Sequence, residues 1–244
     1  MESKKMSSRT YRIIHVVLFA ALLALILLCL CVGKYSLTPA ECIRIFVGKL
    51  FHLQAEWNPM DEKMLLGVRL PRVIAAVFVG AGLALSGAVY QGIFKNPLVS
   101  PEFLGVSSGA CVGAAVGILL SFSAAAIQVS AFAGGIGAVA LTVLIPRAMR
   151  SDSNIMLVLS GIIVSGAMSS VLGFIKYIAD PATELAAITY WQLGSFSYVD
   201  TDAVLSILPL SLLAGCVIFA MSWWVNILSL GEQEAKTLGA NVQL

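Results

Sequence analysis

Residues 69–110 read RLPRVIAAVFVGAGLALSGAVYQGIFKNPLVSPEFLGVSSGA and carry the strongest structural signal in the chain. Two arginines flank a proline, and the 22 residues that follow, 73–94, carry no charge. At ~1.5 Å per residue, a helix of that length crosses the ~30 Å hydrocarbon core of a bilayer. The polar string 95–102 contains two prolines, and a second apolar run begins at Phe103. The stretch therefore predicts two membrane-spanning helices joined by a polar hinge.

The composition of the whole chain agrees with a membrane protein. Of its 244 residues, 59% are hydrophobic and 11% are charged, whereas soluble domains have roughly 45–50% and 25%. The mean hydropathy is +0.94, so lipid must be the solvent of most of the chain. The formal net charge of +2 gives no basic stripe for nucleic acid, and no nucleic-acid partner is predicted.

The N-terminal region predicts a first span and an external loop. Residues 1–12 carry four basic side chains and precede an uncharged run at 13–33. This run is long for a signal peptide and lacks an A-x-A cleavage site, so we expect a transmembrane helix with a cytoplasmic N-terminus. Residues 34–68 form the predicted extracytoplasmic loop. Apolar residues at helical spacing within residues 41–53 indicate a short interfacial helix there, with an ordinary loop as the alternative.

Gaps between charges place the remaining spans. Residues 103–146 carry no charge, and 44 residues would make a helix of about 66 Å, so two helices are expected with a turn at residues 121–123. A fifth span is predicted at 153–175 and a sixth at about 203–225. The prediction is an all-α, polytopic membrane protein with six helices, in which residues 1–244 form one membrane domain and residues 226–244 return to the cytoplasm.

This topology leaves eight basic residues inside and seven outside, so the positive-inside rule favours it by a margin of one. Arg69 and Arg72 lie outside against that rule, which suggests a binding role for them. Glycine and serine recur in four of the helices at small-x-x-x-small spacing, which permits close helix packing. The spans carry no charge, so an ion relay is not expected.

Motifs for enzymatic chemistry are missing. Residues 105–109 match G-x-S-x-G, but this motif needs a strand-to-helix turn and a histidine partner, and the two histidines are His15 and His52. There is no H-E-x-x-H motif and no phosphate-binding loop. Four of the five cysteines lie in apolar runs, Cys42 has no evident partner, and no C-x-x-C occurs. We expect no enzyme, no cofactor, no metal site and no disulfide framework.

The C-terminal residues 229–239 predict a short cytoplasmic helix. Glu232 and Lys236 form an i,i+4 pair, and Gly239 is placed to cap the C-terminus. Ala235, Leu238 and Val242 fall on one side of it. That side could enter a groove on a partner, and a plain surface helix is the alternative.

Together these residues resemble a known family. R-L-P-R at 69–72, L-S-G-A-x-x-Q-G at 85–92 and N-P-L-x-x-P-x-x-L-G-V-S-S-G-A at 96–110 are similar to the permeases of siderophore, haem and cobalamin ABC importers (FecCD/BtuC type). The similarity continues through L-S-G-I at 159–162, Y-W-Q-L-G-S at 190–195 and L-S-L-G-E at 228–232. It covers the chain from Leu65 to its last residue, with motifs in matching order and spacing.

The resemblance implies a homodimeric permease of the plasma (inner) membrane, a pair of cytoplasmic ATPase subunits and an extracytoplasmic binding protein. Arg69 and Arg72 would meet acidic side chains of the binding protein. The implied coupling helix, seated on the ATPase, contains Gly231, Glu232, Ala235, Leu238 and Gly239. The implied translocation path on the fifth helix contains Ser160, Gly161, Ser165 and Ser169. The implied structural hinge contains Asn96, Pro97 and Pro101.

Members of this family have roughly ten spans, so the resemblance implies about four further helices beyond Leu244. We expect either a fragment or a truncated gene product. A ferric siderophore is the expected cargo because of its frequency in the family, with cobalamin or haem as alternatives. A self-contained secondary carrier or an assembly factor without an ATPase comes next, and a membrane enzyme last.

Overall fold

The computed structural model describes residues 7–52, 57–96, 99–150 and 153–230, with Asn154 described by its backbone alone. Within these ranges the α-helices are α1 (Ser8–Cys31), α2 (Pro39–Leu50), α3 (Pro59–Glu62), α4 (Leu70–Phe94), α5 (Val106–Leu119), α6 (Ala124–Ala148), α7 (Asn154–Ile178), α8 (Glu184–Leu193), α9 (Thr201–Ala220) and α10 (Ser222–Leu230). A π-helical segment, Lys63–Arg69, joins α3 to α4, and a 3-10 turn, Pro101–Leu104, precedes α5. The all-α prediction is confirmed.

The predicted spans correspond to α1, α4, α5, α6, α7 and α9. Five helical runs in the described ranges are long and apolar enough to cross a membrane, and α5, with 14 residues, is shorter. The third span was expected from Phe103, but α5 begins at Val106 because Gly105 adopts a left-handed backbone (φ 75°) that separates it from the 3-10 turn. The predicted turn at residues 121–123 is present, and Ser123 caps α6 by accepting the Ala126 N–H.

The second span begins earlier than the sequence indicated. Helical backbone runs from Pro59 to Phe94 without a break, although Pro71 lies inside it and cannot donate a hydrogen bond. The π-helical segment ends at Arg69, two residues before this proline. There the Leu70 N–H donates to the Leu65 carbonyl, five residues back instead of four. The wider turn lets the helix continue where an ordinary α-helix would kink.

Two further helix boundaries and one whole helix differ from the predictions. In the predicted external loop, α2 starts at Pro39 because Thr38 and Glu41 form a capping box, with Thr38 N–H donating to Glu41 Oε2 at 2.8 Å. This backbone hydrogen bond lowers the pKa of Glu41. The helix α8 lies in a stretch for which no element was predicted. The sixth span ends at Ala220, not near residue 225, and α10 starts after Met221.

The chain forms two compact units. The first contains residues 1–79 and 196–210, and the second contains residues 80–195 and 211–244. The core of the first unit joins α1, α2 and the π-helical segment through Leu30, Leu37, Cys42, Ile45 and Leu65. Most of α1 is apolar all round and exposed, with Leu30 as its one buried residue, which is typical of a lipid-facing span.

The second unit is organised by close contact between α5 and α6. A Cβ on Gly109 would overlap the Gly134 carbonyl oxygen, and one on Gly113 would overlap that of Ser130. The Ser130 hydroxyl donates to the Gly113 carbonyl at 2.5 Å. The small residues at these positions therefore permit backbone contact between the two helices, as their small-x-x-x-small spacing predicts.

Helix α7 completes the packing of this unit. A Cβ on Gly161 would overlap the carbonyl oxygen of Phe103 in the 3-10 turn. The fully buried Thr142 of α6 donates to the Leu104 carbonyl at 3.1 Å. A second core connects α5, α7 and α8 through Ala115, Leu172, Ile175, Ala179 and Ile188. The 3-10 turn is thus fixed by α6 and α7 together.

These contacts predict opposite effects for two glycine substitutions. Gly113→Ala should lower the free energy of unfolding by about 1–3 kcal/mol, because the added methyl group meets backbone that cannot move aside. Gly137→Ala on α6 is the matched control, since nothing lies within 4 Å of its Cβ position, and it should be neutral or slightly stabilising. Thermal unfolding of the detergent-purified protein measures both. Equal behaviour of the two variants would contradict the packing argument.

Candidate functional site

Arg69 lies at the end of the π-helical segment and is 8% exposed. Its Nη1 donates to the Leu30 carbonyl at 2.6 Å and to the Cys31 carbonyl at 2.8 Å, and its Nη2 donates to the Tyr35 carbonyl. Carbonyls in the last turn of a helix have no intrahelical partner, and a cation there also complements the helix dipole. Arg69 therefore caps the C-terminus of α1. We call this arrangement the Arg69 clamp.

The chain makes room for this clamp and surrounds it with polar contacts. A Cβ on Gly33 would lie 2.7 Å from Nη2 of Arg69, so the absence of a side chain accommodates the guanidinium. The Tyr35 hydroxyl donates to Asp61 Oδ1 at 2.5 Å. This hydrogen bond to a carboxylate raises the pKa of Tyr35. The segment that follows α1 is thereby attached to both α3 and the π-helical segment.

Arg72 has a different environment, one turn further along. It is half-buried, and its Nη2 donates to the Ser197 carbonyl at 2.5 Å. Its Nε is buried and has no hydrogen-bond partner within the described part of the chain. Arg69 and Arg72 are close in sequence, but the structure gives them separate contacts. Docking of a binding protein at either residue stays a prediction.

The four predicted path residues of α7 do not share one environment. Ser160 is 1% exposed and donates to the Met156 carbonyl at 2.7 Å, and Gly161 packs against the 3-10 turn. Ser165 is half-buried and Ser169 is exposed. Ser160 and Gly161 thus belong to the packed side of α7. A path along these residues stays a prediction.

A cavity of ≈ 240 Å³ lies where α7 meets the 3-10 turn. Ser165 is the predicted path residue that lines it, together with Ser100, Glu102, Phe103 and Ile162. The sequence pattern did not single out Glu102, although it is the one carboxylate between Glu62 and Asp152. Its location just before the uncharged run 103–146 was the available signal.

The predicted hinge and coupling regions are described in part. Asn96 accepts the Val99 N–H at 3.2 Å, and Pro101 begins the 3-10 turn, whereas Pro97 lies outside the described residues. The predicted coupling residues 231–239 also lie outside them. Their attachment point is described: the Lys95 ammonium, directly after α4, donates to the carbonyl of Leu230, the last residue of α10. Sequence reasoning missed this contact, which joins residues 135 positions apart.

Nothing in the described ranges indicates a metal or catalytic centre. No group of three or more His, Cys, Asp or Glu side chains there could hold a metal ion. The G-x-S-x-G residues 105–109 form the start of α5, where Gly109 packs on α6. The geometry shows hydrogen bonds at helix ends instead. These are the Arg69 clamp at the end of α1 and the Lys95 contact at the end of α10.

Comparison with known proteins identifies the class. The family model described as "FecCD transport family" matches residues 21–244. The chain belongs to this family and is a multi-pass protein of the plasma (inner) membrane. The resemblance seen in the motifs is thereby confirmed.

Individual relatives have different named substrates. The chain is 38% identical over 211 residues to the molybdate import system permease protein MolB of Haemophilus influenzae, covering 86% of this chain and 62% of that protein. It is 38% identical over 229 residues to an iron chelatin transport system permease protein of Helicobacter pylori, covering 93% and 68%. It is 35% identical over 209 residues to the vitamin B12 import system permease protein BtuC of Escherichia coli, covering 82% and 61%. The chain spans about two thirds of the length of these relatives.

A solved structure has the same fold. It is described as an inward-facing conformation of a metal-chelate type ABC transporter, and it matches with a TM-score of 0.80 and 35% sequence identity. The match covers 95% of this chain and 69% of that one. The fold prediction, an ABC importer permease, is confirmed at this level.

The Arg69 clamp predicts a large loss of stability when the guanidinium is removed. Arg69→Met should lower the free energy of unfolding by about 3 kcal/mol, because buried carbonyls lose charge-assisted hydrogen bonds. Arg69→Lys should recover only part of it, since an ammonium lacks the planar fork. Arg44→Met on the exposed side of α2 is the matched control. Chemical unfolding of the purified protein, followed by tryptophan fluorescence, measures all three, and similar curves for Arg69→Met and Arg44→Met would refute the clamp.

Proposed function

We propose that the chain is the membrane-spanning part of an ABC importer permease that moves an iron chelate of the ferric siderophore type across the plasma membrane. The observation that carries the proposal is the family match over residues 21–244. The relative named for iron chelatin transport, which covers 93% of the chain, and the metal-chelate type transporter structure support the cargo. The permease works without catalysis of its own, and separate ATPase subunits supply the energy.

Cobalamin and haem remain the alternatives within the same mechanism, and the B12 permease relative supports the first of them. Molybdate is a further candidate, favoured by the 38% identity to the molybdate permease. A self-contained secondary carrier receives less support, because the described spans carry no buried acidic side chain for ion coupling. In each import case the cargo is selected before it reaches this chain, by an extracytoplasmic binding protein.

The energy-coupling contact is assigned to the segment that starts at residue 231. Lys95 is bonded to the Leu230 carbonyl, and the Cβ of Ser229 lies 3.9 Å from the Cβ position of Gly92. A cation at the end of a helix also complements its dipole. Movement of the coupling segment on an ATPase would therefore be transmitted to the end of α4. Gly231, Glu232, Ala235, Leu238 and Gly239 are the residues proposed to seat on the ATPase.

The cavity between α7 and the 3-10 turn supports a path for the cargo along α7. Its lining combines two hydroxyls, an aromatic ring and a carboxylate, so it offers polar contacts without a fixed cage. Ser165 and Ser169 would face passing chelate, whereas Ser160 and Gly161 would hold α7 against the 3-10 turn. The homodimer proposed for the permease would place two copies of α7 around one path.

The function is tested by reconstituting the full-length permease with its ATPase and binding protein in vesicles. Uptake of a radiolabelled ferric siderophore, stimulated by ATP, is the expected result, with molybdate and cobalamin as competitors. Glu232→Arg and Leu238→Asp should abolish uptake and stimulated ATPase activity, because both interrupt the coupling surface. Arg9→Glu is the matched charge reversal on the same predicted side and should keep both. Uptake of molybdate instead would overturn the iron assignment, and persistent activity in both coupling variants would overturn the coupling assignment.

Docking of the binding protein is proposed to depend directly on Arg72 and indirectly on Arg69. Arg72 is only half-buried, whereas Arg69 is 8% exposed and its guanidinium is held in the clamp. Only Arg72 is thus suited to a charge-reversal test, because reversal of Arg69 would also remove the clamp.

The expected result for Arg72→Glu is a binding-protein affinity at least tenfold weaker at low salt. The difference should shrink as salt screens the contact, with a Debye length of about 10 Å at 0.1 M. Surface plasmon resonance against the reconstituted permease measures it. Arg44→Glu is the control for general charge effects, and an equal loss of affinity in both variants would argue against a specific docking role for Arg72.

A further inference from the structure

Two thiols of the first unit lie against each other where α1 meets α2. Cys31 is the last residue of α1, and Cys42 lies in the first turns of α2. Their Sγ atoms are 3.7 Å apart. Cys42 is 1% exposed and Cys31 is partly exposed. Both thiols are free in this structure, and neither residue belongs to the transport machinery proposed above.

The surroundings hold these two sulfur atoms together. Cys42 is part of the buried core that includes Leu30 and Ile45, and its Sγ also lies 3.8 Å from the Leu30 carbonyl oxygen. The Arg69 clamp fixes the backbone on the other side of the pair through the Leu30 and Cys31 carbonyls. A disulfide requires an S–S distance of about 2.05 Å, so the two sulfurs need to approach by roughly 1.7 Å.

We propose that Cys31 and Cys42 form a disulfide bond that links the end of α1 to α2. The predicted topology places this corner on the extracytoplasmic side, where disulfides form and persist. The loop that the bond closes includes Gly33 and Tyr35, which contribute space and a carbonyl to the Arg69 clamp. The bond would therefore hold the clamp's acceptors in place covalently.

The order of the chemical steps follows from exposure. Burial raises the pKa of Cys42 to about 11, so its thiolate is scarce near neutral pH. Cys31, the more accessible thiol, loses its proton and attacks a disulfide of a periplasmic or extracellular thiol oxidant, and one sulfur of the oxidant leaves as a thiolate. Cys42 then loses its proton and attacks Cys31 Sγ, which releases the second oxidant sulfur. The two chain thiols give up two electrons and two protons, and the oxidant becomes a dithiol.

The test uses full-length protein in its native membranes. Free thiols are alkylated with N-ethylmaleimide in SDS, the sample is reduced, and newly exposed thiols are labelled with a maleimide polymer that shifts the gel band. Wild type should gain two polymer adducts relative to Cys31→Ser and to Cys42→Ser. Cys29→Ser, two residues away on the exposed face of α1, is the matched control and should keep both adducts.

Mass spectrometry of wild-type peptides provides the second readout, which requires no variant to fold. A linked peptide pair lighter by two hydrogen atoms is expected, and a membrane-impermeant phosphine added to sealed, right-side-out cells should abolish it. Alkylated Cys31 and Cys42 in wild type, even after exposure to oxidised glutathione, would overturn the proposal. A bond between Cys29 and Cys42 would overturn it as well. Neither readout depends on transport, so failure here and failure of the proposed function are distinguishable.

Discussion

Helices in a bilayer gain little from burying apolar surface against each other, because the lipid is as apolar as their side chains. Their association has to come from close backbone contact and from hydrogen bonds. In the second unit, Gly109 and Gly113 of α5 bring its backbone against α6, and Ser130 then reaches the Gly113 carbonyl. The positions of the 3-10 turn and of α7 depend on that approach. With α6 in place, Thr142 can hold the 3-10 turn, and with that turn in place, α7 can pack on it and form the cavity beside Ser165.

The same constraint acts on the ends of helices. The last carbonyls of a helix have no intrahelical partner, and leaving them unpaired near a bilayer is costly. Two basic side chains satisfy such carbonyls from distant positions. Arg69 does so for α1, and Lys95 does so for α10. Polar side chains near the ends of helices therefore serve the backbone first.

The distribution of charges along the sequence was enough to predict the spans. Charged positions alone divide this apolar chain into membrane-length segments. Local sequence also predicted the turn at residues 121–123, the start of α7 and close packing of helices through small residues. The π-helical segment did not, since Pro71 alone indicates a helix start, and only the hydrogen bond from Leu70 to Leu65 reveals the wider turn. Nor did α8, whose helix depends on packing Ile188 against α5 and α7. For the candidate site, the charge bias drew attention to Arg69 as a docking residue, but it did not predict the clamp, whose acceptors lie 34 to 39 residues away. Spacing rules cannot show such a contact. The closeness of Cys31 and Cys42 was hidden for the same reason, since one lies in an apolar run and the other in a polar loop.

The π-helical segment has a consequence for the length of the chain in this region. A π turn contains one residue more than an α turn closed by the same number of hydrogen bonds, so Lys63–Arg69 holds a surplus residue within a continuous helix. Each residue of an α-helix turns the following side chain by about 100°. If one residue were deleted between Lys63 and Arg69, the hydrogen bonds of this segment could shorten to the α-helical pattern, and Pro71 would then favour a kink. The guanidinium of Arg69 would then point away from α1 by more than a quarter of a turn. A gap of one position in this segment, when related sequences are aligned, would therefore mark chains that end their first helix by some other means.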